Sequence, residues 1–227
     1  MRGMIVGFAA LVVAGPLAAQ GMGGMNMDPS KDVGTAPLPT GWMRRMDPQD
    51  STLTSKFVAM GSGYHVTSGG HAIYYNPKDQ ATGDYTVSVT YTQTKSMIHE
   101  AFGIFIGGSN LQDYAKQDYL YFDVRPVDGQ ILITHRAGLP APHAIVAFPR
   151  GAPQPPVPGV HKEGADGSAT NTLTIRVAGD SVHFIANGTE VKVYPKSALL
   201  GASTDGQVGL RVDHNCDLQI EWSGVKK

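Results

Sequence analysis

Residues 85–91 read YTVSVTY, in which apolar side chains at the odd positions alternate with Thr or Ser at the even positions. A period of two places the apolar side chains on one face of an extended strand and the hydroxyls on the other. Antiparallel sheets with one buried face and one solvated face have this pattern. The segment therefore predicts a β-strand that covers a hydrophobic core.

Similar short runs recur from about Lys56 to the end of the chain, separated by Gly, Asn, Asp or Pro, and no segment has convincing helical periodicity. About a dozen strands are predicted, at 64–68, 71–75, 85–91, 102–106, 119–125, 130–136, 143–148, 173–177, 182–186, 190–194, 208–212 and 218–222. Because no helical crossovers separate them, we expect an all-β fold of two antiparallel sheets packed face to face, a jelly-roll β-sandwich. A closed barrel is the alternative.

Turn and loop residues separate these strands. Asn187-Gly188 suits a type I′ hairpin, in which both central residues need positive φ. The segment from Pro149 to Thr170 contains five prolines followed by Gly-Ala-Asp-Gly, so it is predicted to be a long surface loop. Long loops inside a domain often carry function, and we interpret this one as the rim of a groove.

Composition excludes several classes of function. The 227 residues include 18 basic and 19 acidic side chains, a net charge of −1 that argues against nucleic-acid binding by bulk electrostatics. The single cysteine, Cys216, rules out an internal disulfide and a multi-thiolate zinc site. The eight histidines have no His-x-Glu-x-x-His spacing, which argues against a zinc site built from histidines.

The start of the chain has the order of a secretory signal: Arg2, an apolar run over 4–14, and small residues up to Ala19. We therefore predict a signal peptide at 1–19 and an exported protein, periplasmic or extracellular, without a membrane span because the apolar run is too short. Residues 20–55 are predicted to be a flexible leader, whose methionines belong either to a Gly-rich linker or to a Cu(I) site. The folded domain is placed at 56–227.

Four segments resemble a known superfamily: residues 100–108 (EAFGIFIGG), 119–122 (YLYF), 182–191 (VHFIANGTEV) and 206–212 (GQVGLRV). They are similar to the concanavalin A-like lectin and glucanase sandwich, especially to laminin-G-like and 3-keto-disaccharide hydrolase domains. The resemblance implies carbohydrate as the commonest ligand class, calcium in some branches and glycoside cleavage in others. The Glu-x-Asp-x-x-Glu motif of the laminarinase-type hydrolases is absent.

Strand 119–125 carries the main candidates for ligand binding. Its polar face offers aromatic stacking surface and charged groups for sugar hydroxyls, although Asp123 and Arg125 could instead pair with each other on a solvated sheet. If strands 130–136 and 208–212 lie beside it, their polar side chains join the same concave face. The predicted ligand-binding residues are Tyr119, Tyr121, Asp123, Arg125, Arg136, Arg211 and His214.

Weaker candidates concern catalysis and metal binding. His99, Glu100 and His135 could act as acid or base, and the adjacent pair His99-Glu100 could equally be a solvated loop pair. The oxygen ligands best placed for calcium are Asn110, Asp113 and Asp118, although they match no calcium-loop template. Three functions therefore stay open: a domain that binds carbohydrate or a glycoconjugate, a glycoside-cleaving enzyme, and a structural or protein-interaction module.

Overall fold

The structure, a computed structural model, describes residues 34–50, 52–94, 101–138 and 143–227. Over these ranges it contains fourteen strands and two short 3-10 helices, at Pro48–Asp50 and Lys196–Ala198. The strands are β1 (Met43–Met46), β2 (Ser55–Met60), β3 (Gly63–Ser68), β4 (Ala72–Ala81), β5 (Tyr85–Gln93), β6 (Phe102–Ser109), β7 (Asp118–Arg125), β8 (Gln130–Ala137), β9 (His143–Val146), β10 (Ala169–Ala178), β11 (Ser181–Ala186), β12 (Thr189–Pro195), β13 (Gly206–Val212) and β14 (Cys216–Lys226).

The strands form two seven-stranded antiparallel sheets. Sheet A has the order β1-β4-β13-β6-β7-β8-β9, and sheet B has the order β12-β11-β10-β5-β14-β3-β2. Each sheet is open, with two edge strands, so the predicted β-sandwich is confirmed and the closed-barrel alternative is wrong. Non-consecutive neighbours such as β13 between β4 and β6 bring distant parts of the chain onto one sheet.

The core lies between the sheets and follows the period-two alternation. In β5 the odd positions, from Tyr85 to Tyr91, are at most 3% exposed, while the Thr and Ser between them are partly exposed. In β7, Leu120, Phe122 and Val124 belong to the same core cluster. The side chains that alternate with them therefore lie on the outer face of sheet A.

The sandwich begins earlier than the predicted boundary at residue 56. Strand β1 pairs with β4, and Trp42 is buried against Phe57 and Tyr64 with ring centroids 5.1 and 5.0 Å apart. The strand was missed because its sequence, MRRM, has no apolar alternation: its buried residue is Arg45. The part of the predicted leader from 34 to 55 thus contains sheet residues, whereas residues 1–33 lie outside the described ranges.

The hairpin prediction at 187–188 is confirmed, since Asn187 and Gly188 have φ of 49° and 80°. Within the described ranges, the structure contains no helix with the length and apolar character that crossing a membrane requires.

Candidate functional site

The outer face of sheet A is buried, although its sequence pattern indicates a solvated face. Tyr119, Tyr121 and Asp123 of β7 lie on this face, as predicted, but are only 1%, 7% and 0% exposed. The two tyrosines belong to a second hydrophobic cluster with Phe105 and Tyr75. They are therefore packed residues rather than the open stacking surface that we expected.

A row of residues crosses the middle of this face. Arg211 of β13 is opposite Gly103 of β6, which in turn is opposite Asp123 of β7. A Cβ atom on Gly103 would lie 2.2 Å from an Asp123 carboxylate oxygen, so the missing side chain makes room for that carboxylate. Strands β13 and β7 are not neighbours, and the glycine between them lets their polar side chains share one space.

Asp47 forms ion pairs with two buried arginines on this face. Its carboxylate lies 2.7 Å from Arg45 Nη1 and 3.3 Å from Arg211 Nη2, and all three residues are at most 7% exposed. Burial by itself would raise the pKa of Asp47, but Arg211 and Arg45 outweigh this and hold its pKa well below the usual range. The sequence analysis missed both Asp47 and Arg45 because it assigned them to the leader.

Asp123 has a different environment. Among the described residues neither of its carboxylate oxygens has a hydrogen-bond partner, although the residue is completely buried. Burial raises its pKa well above the ordinary value, and the negative charge of Asp213 adds to this while Arg211 opposes it. Buried polar groups in folded proteins nearly always have partners, so an orphaned carboxyl group needs an explanation.

The end of sheet A beside Asp123 is partly exposed. The side chains of His71, Asp213 and Arg125 are 22%, 20% and 18% exposed, and period-two alternation places them on the outer face. Asp213 Oδ1 lies 3.7 Å from Arg211 Nη2 and 3.8 Å from His71 Nε2. We call the five residues His71, Arg211, Asp213, Asp123 and Arg125 the polar strip.

Arg125 does not pair with Asp123, the alternative that the sequence left open. It forms two hydrogen bonds to Asp128, at 3.0 and 2.5 Å, and its guanidinium lies 4.0 Å from the ring centroid of Phe148. A groove of about 310 Å³ runs between this pair and the proline-rich loop, and is lined by Arg125, Asp128, Pro149, Gly151, Ala152, Pro153 and Gln154. The loop therefore borders a groove at one end of the polar strip.

The other two predicted ligand-binding residues lie at opposite ends of the face. His214 stacks on His71, with ring centroids 4.7 Å apart and an angle of 17° between the planes, so it lies beside the polar strip. Arg136 is paired in register with Tyr119 and donates a hydrogen bond to the Tyr114 hydroxyl. Arg136 therefore lies two residues beyond Thr134 along β8, on the part of the face that is away from the polar strip.

Among the weaker candidates, the four that the structure describes, His135, Asn110, Asp113 and Asp118, do not assemble into a site. His135 alternates to the inner side of β8, where Nδ1 lies 3.0 Å from the Leu200 carbonyl and Nε2 lies 3.1 Å from Asp118. Asp113 accepts a hydrogen bond from the Ala115 N–H and pairs with Lys116, and Asn110 occupies a turn with φ of 51°. Over the described ranges no three His, Cys, Asp or Glu side chains are grouped to hold a metal ion.

Two of the candidates for catalysis are not covered by the structure. His99 and Glu100 lie outside the described residues, so their predicted acid or base role stays a prediction. Cys216, the single cysteine, is buried, with Sγ 3.8 Å from the Ala101 carbonyl oxygen, so its thiol is packed within the sandwich.

Comparison with known proteins gives information about the fold of this chain only. No family model matches the chain, and no curated protein matches it in sequence. Among solved structures, the carbohydrate binding module CBM66 from Bacillus subtilis aligns with a TM-score of 0.55 at 13% identity, covering 83% of this chain and 98% of the module. A protein from Parabacteroides distasonis, named as a candidate glycosyl hydrolase, aligns with a TM-score of 0.50 at 12% identity and covers 82% and 98%. Together with the sheet topology, these matches show the fold of the chain, a jelly-roll sandwich of two antiparallel sheets.

Proposed function

We propose that this domain binds a carbohydrate at the polar strip. The observation that carries the proposal is Asp123, a completely buried carboxyl group with no partner for either oxygen among the described residues. Leaving such a group unsatisfied costs roughly 1–3 kcal/mol, which a fold tolerates where a ligand supplies the missing hydrogen bonds.

The neighbouring orphaned atoms favour a hydroxyl-rich ligand. Arg211 Nε carries an N–H donor without a partner in the described part of the chain, and so does Arg136 Nε further along the face. The Thr134 hydroxyl is orphaned in the same sense. Because a sugar hydroxyl both donates and accepts, neighbouring hydroxyls can complement the Asp123 oxygens and the Arg211 N–H at once.

The fold is compatible with this proposal without establishing it. One of the matching structures is named as a carbohydrate binding module, but a shared fold alone does not transfer a function. The support for sugar binding therefore comes from the chemistry of the polar strip and from the partial exposure of three of its members, His71, Asp213 and Arg125.

Export is part of the same proposal and rests on the signal-like order of residues 1–19. We expect the protein to be recovered outside the cytoplasm with a new N-terminus after Ala19. Fractionation followed by N-terminal sequencing checks this, and an intact Met1 in a cytoplasmic pool contradicts it.

Thermal unfolding of the wild-type chain in the presence of an oligosaccharide panel tests sugar binding. A ligand at 100 times its Kd adds about 2.7 kcal/mol of stability, which raises the Tm measurably. We expect a Tm increase with at least one oligosaccharide, lost in Asp123→Leu and kept in Asp180→Leu, a matched change at an exposed turn of sheet B. A panel without effect contradicts the proposal and favours a protein-interaction module.

A further inference from the structure

The segment between β6 and β7, residues 110–117, lies against the outer face of sheet A. It contributes Leu111 to the second hydrophobic cluster, whose other five buried members among the described residues lie on β4, β6 and β7. Leu111 is 2% exposed and Gln117 is 0% exposed, whereas the residues between them are exposed apart from the half-buried Tyr114. Segment 110–117 therefore packs on the sheet mainly through two residues and presents most of the others to solvent.

Segment 110–117 is held in shape by hydrogen bonds of its own. The Asp113 N–H donates to the Asn110 carbonyl at 2.9 Å, and the Gln117 N–H donates to the Asp113 carbonyl at 2.7 Å. The Asp113 side chain accepts the Ala115 N–H at 3.1 Å. From outside the segment, the Gly138 N–H donates to the Gln117 carbonyl at 2.7 Å, at the C-terminal end. Because the other bonds lie within the segment, it can move away from the sheet without unfolding.

Polar side chains fasten the segment to sheet A. Arg45 donates to the Leu111 carbonyl from Nε at 2.8 Å and to Gln117 Oε1 from Nη2 at 2.5 Å. Gln112 Nε2 donates at 2.9 Å to the hydroxyl of Tyr75, a member of the second hydrophobic cluster. Hydrogen bonds of this kind contribute little net free energy each, because water replaces them when the partners separate. The closed position thus depends on a few contacts that single substitutions weaken.

Arg45 also connects the segment with the polar strip. Its Nη1 lies 2.7 Å from Asp47 Oδ1, and Asp47 Oδ2 lies 3.3 Å from Nη2 of Arg211, a residue of the strip. All three side chains are buried, so these ion pairs are screened less than surface pairs are. A ligand that contacts Arg211 therefore acts on the same carboxylate that holds Arg45 and, through Arg45, the segment.

Strand β7 runs from the polar strip to the rings beneath the segment. Its successive outer positions, roughly 7 Å apart, are Arg125, Asp123, Tyr121 and Tyr119. Arg125 is at the partly exposed end, and the two tyrosines belong to the cluster that Leu111 completes. A ligand that extends along β7 from the strip therefore reaches Tyr121, and then Tyr119, when the segment moves away.

Two unpartnered polar atoms lie beside these rings. Thr134 is paired in register with Tyr121, and Arg136 with Tyr119. In the described part of the chain, the Thr134 hydroxyl and Arg136 Nε are buried without a hydrogen-bond partner. Buried polar groups in folded proteins nearly always have partners. The closed position thus leaves two donors unsatisfied that a ligand entering above the rings can satisfy.

We propose that segment 110–117 is a lid over Tyr119 and Tyr121 and that it opens when a carbohydrate bound at the polar strip extends along β7. The inference rests on the proposed binding function. In the open state the rings become a stacking surface, and the Thr134 hydroxyl and Arg136 Nε gain access to sugar hydroxyls. Because only a long ligand contacts these groups, only a long ligand shifts the lid toward the open state. Its apparent Kd equals the intrinsic Kd divided by the open fraction.

Titration calorimetry compares the shortest and the longest oligosaccharide of one sugar that raise the wild-type Tm. Leu111→Ala removes the apolar side chain that packs the lid on the rings, and Gln112→Ala removes the hydrogen bond to Tyr75. We expect the Kd of the long ligand to fall roughly tenfold or more in Leu111→Ala and roughly 2- to 10-fold in Gln112→Ala, because both raise the open fraction. The Kd of the short ligand stays unchanged. Lys116→Ala, a change at a side chain of the same segment that is 75% exposed, is the matched control and keeps both wild-type Kd values.

Hydroxyl-radical footprinting measures the exposure of the rings directly and without a ligand. We expect Tyr119 and Tyr121 to be protected in the free wild type and modified faster in free Leu111→Ala. The long oligosaccharide protects them again in that variant. Tyr91, completely buried in the core between the sheets, is the internal reference. Circular dichroism and thermal unfolding verify folding, and if Leu111→Ala does not fold, Gln112→Ala at an exposed position carries both measurements.

Each result decides between the lid and the binding function. A long-ligand Kd that is the same in wild type, Leu111→Ala and Gln112→Ala overturns the lid and leaves the binding function standing. Rings that stay protected in both free variants also overturn the lid. A chain that binds no oligosaccharide contradicts the proposed function itself, and the lid falls with it.

Discussion

The outer faces of the two sheets are built on the same period-two alternation but differ in chemistry. On sheet B, hydroxyls pair across β5 and β10: Ser88 with Thr174 at 2.7 Å, Thr90 with Thr172 at 2.8 Å, and Thr92 with Thr170 at 3.0 Å. On sheet A, Arg211, Asp47 and Asp123 carry charged or ionisable groups at 5% exposure or less. Polar atoms are satisfied on the first face and partly orphaned on the second.

The difference separates a solvated face from the face on which we propose a ligand site. Cross-strand hydroxyl pairs stabilise a sheet modestly and are compatible with water. Buried charges stabilise only when paired, and an orphaned carboxyl group opposes folding. Stability alone therefore does not account for the polar groups of sheet A, and we assign the ligand site to that face.

The largest difference in unfolding free energy between the two faces is expected when Asp47 of the sheet A face is substituted. Asp47→Asn leaves Arg45 and Arg211 buried without their shared partner, which costs roughly 3–5 kcal/mol of unfolding free energy. Asp217→Asn breaks the partly exposed pair with His65 on sheet B and costs about 0–1 kcal/mol. Urea unfolding measures both, and equal losses would remove the distinction between the two faces.

A smaller loss is expected at Gly103. A Cβ atom in Gly103→Ala would lie 1.9 Å from the Phe122 carbonyl oxygen and 2.2 Å from Asp123, so β7 must shift. Overpacking of this kind costs about 1–3 kcal/mol. On sheet B, Ser88→Ala removes one cross-strand partner and costs about 1 kcal/mol or less. Urea unfolding of Gly103→Ala without any loss would show that the space above Gly103 is not tightly defined.

The raised pKa of Asp123 makes the stability of the folded chain depend on pH. This dependence has the opposite sign to the contribution of Asp47. Its pKa is raised in the folded state, so the folded chain binds more protons above pH ~4, and stability falls as pH rises from there toward the raised pKa. Asp123→Leu removes this loss, and its stability relative to wild type increases with pH from about 4 upward. The contribution of Asp47, lost as pH falls below about 4, is common to both chains and cancels.

Urea unfolding between pH 4 and pH 8 gives this difference directly. A pH-independent difference between wild type and Asp123→Leu would mean that the Asp123 pKa is the same in the folded and unfolded chains. In that case the surroundings of Asp123 offset the effect of its burial, and the contrast between Asp123 and Asp47 disappears.

The smallest effect on unfolding free energy is expected for the hydroxyl pairs of sheet B. A double-mutant cycle of Thr90→Val and Thr172→Val should give a coupling energy of about 0.2–1 kcal/mol. Oligosaccharide binding should not change in either variant. Loss of binding there would move the ligand site to sheet B, where a groove of about 260 Å³ passes over Thr90 and Thr92.

Local patterns were sufficient to predict the sandwich and the strand face that several candidate residues share. Alternation in 119–125 correctly placed Tyr121 and Asp123 on one face, because strand periodicity depends only on neighbouring residues. Arg211 was correctly associated with them, although the sheet order that brings β13 near β7 is a long-range property. The pattern could not show that Phe105, Tyr75 and Leu111 pack around the two tyrosines, so the tyrosines were expected to be open.

The missed residues are those whose roles depend on contacts far apart in sequence. Asp47 meets Arg211 across 164 residues, and no motif marks either one. His71 precedes a strand and acquires its partner, Asp50, from a 3-10 helix 21 residues earlier. His135 was selected for its chemistry alone, and the alternation of β8 turned it to the inner side.

Isothermal titration of wild-type chain and Asp123→Leu with one oligosaccharide that raises the wild-type Tm tests the central claim most directly. The account predicts that Asp123→Leu is at least as stable as wild type at pH 7 but binds roughly 5- to 150-fold more weakly, the equivalent of about 1–3 kcal/mol. An unchanged Kd in a folded Asp123→Leu chain would contradict the assignment of the ligand site to the outer face of sheet A.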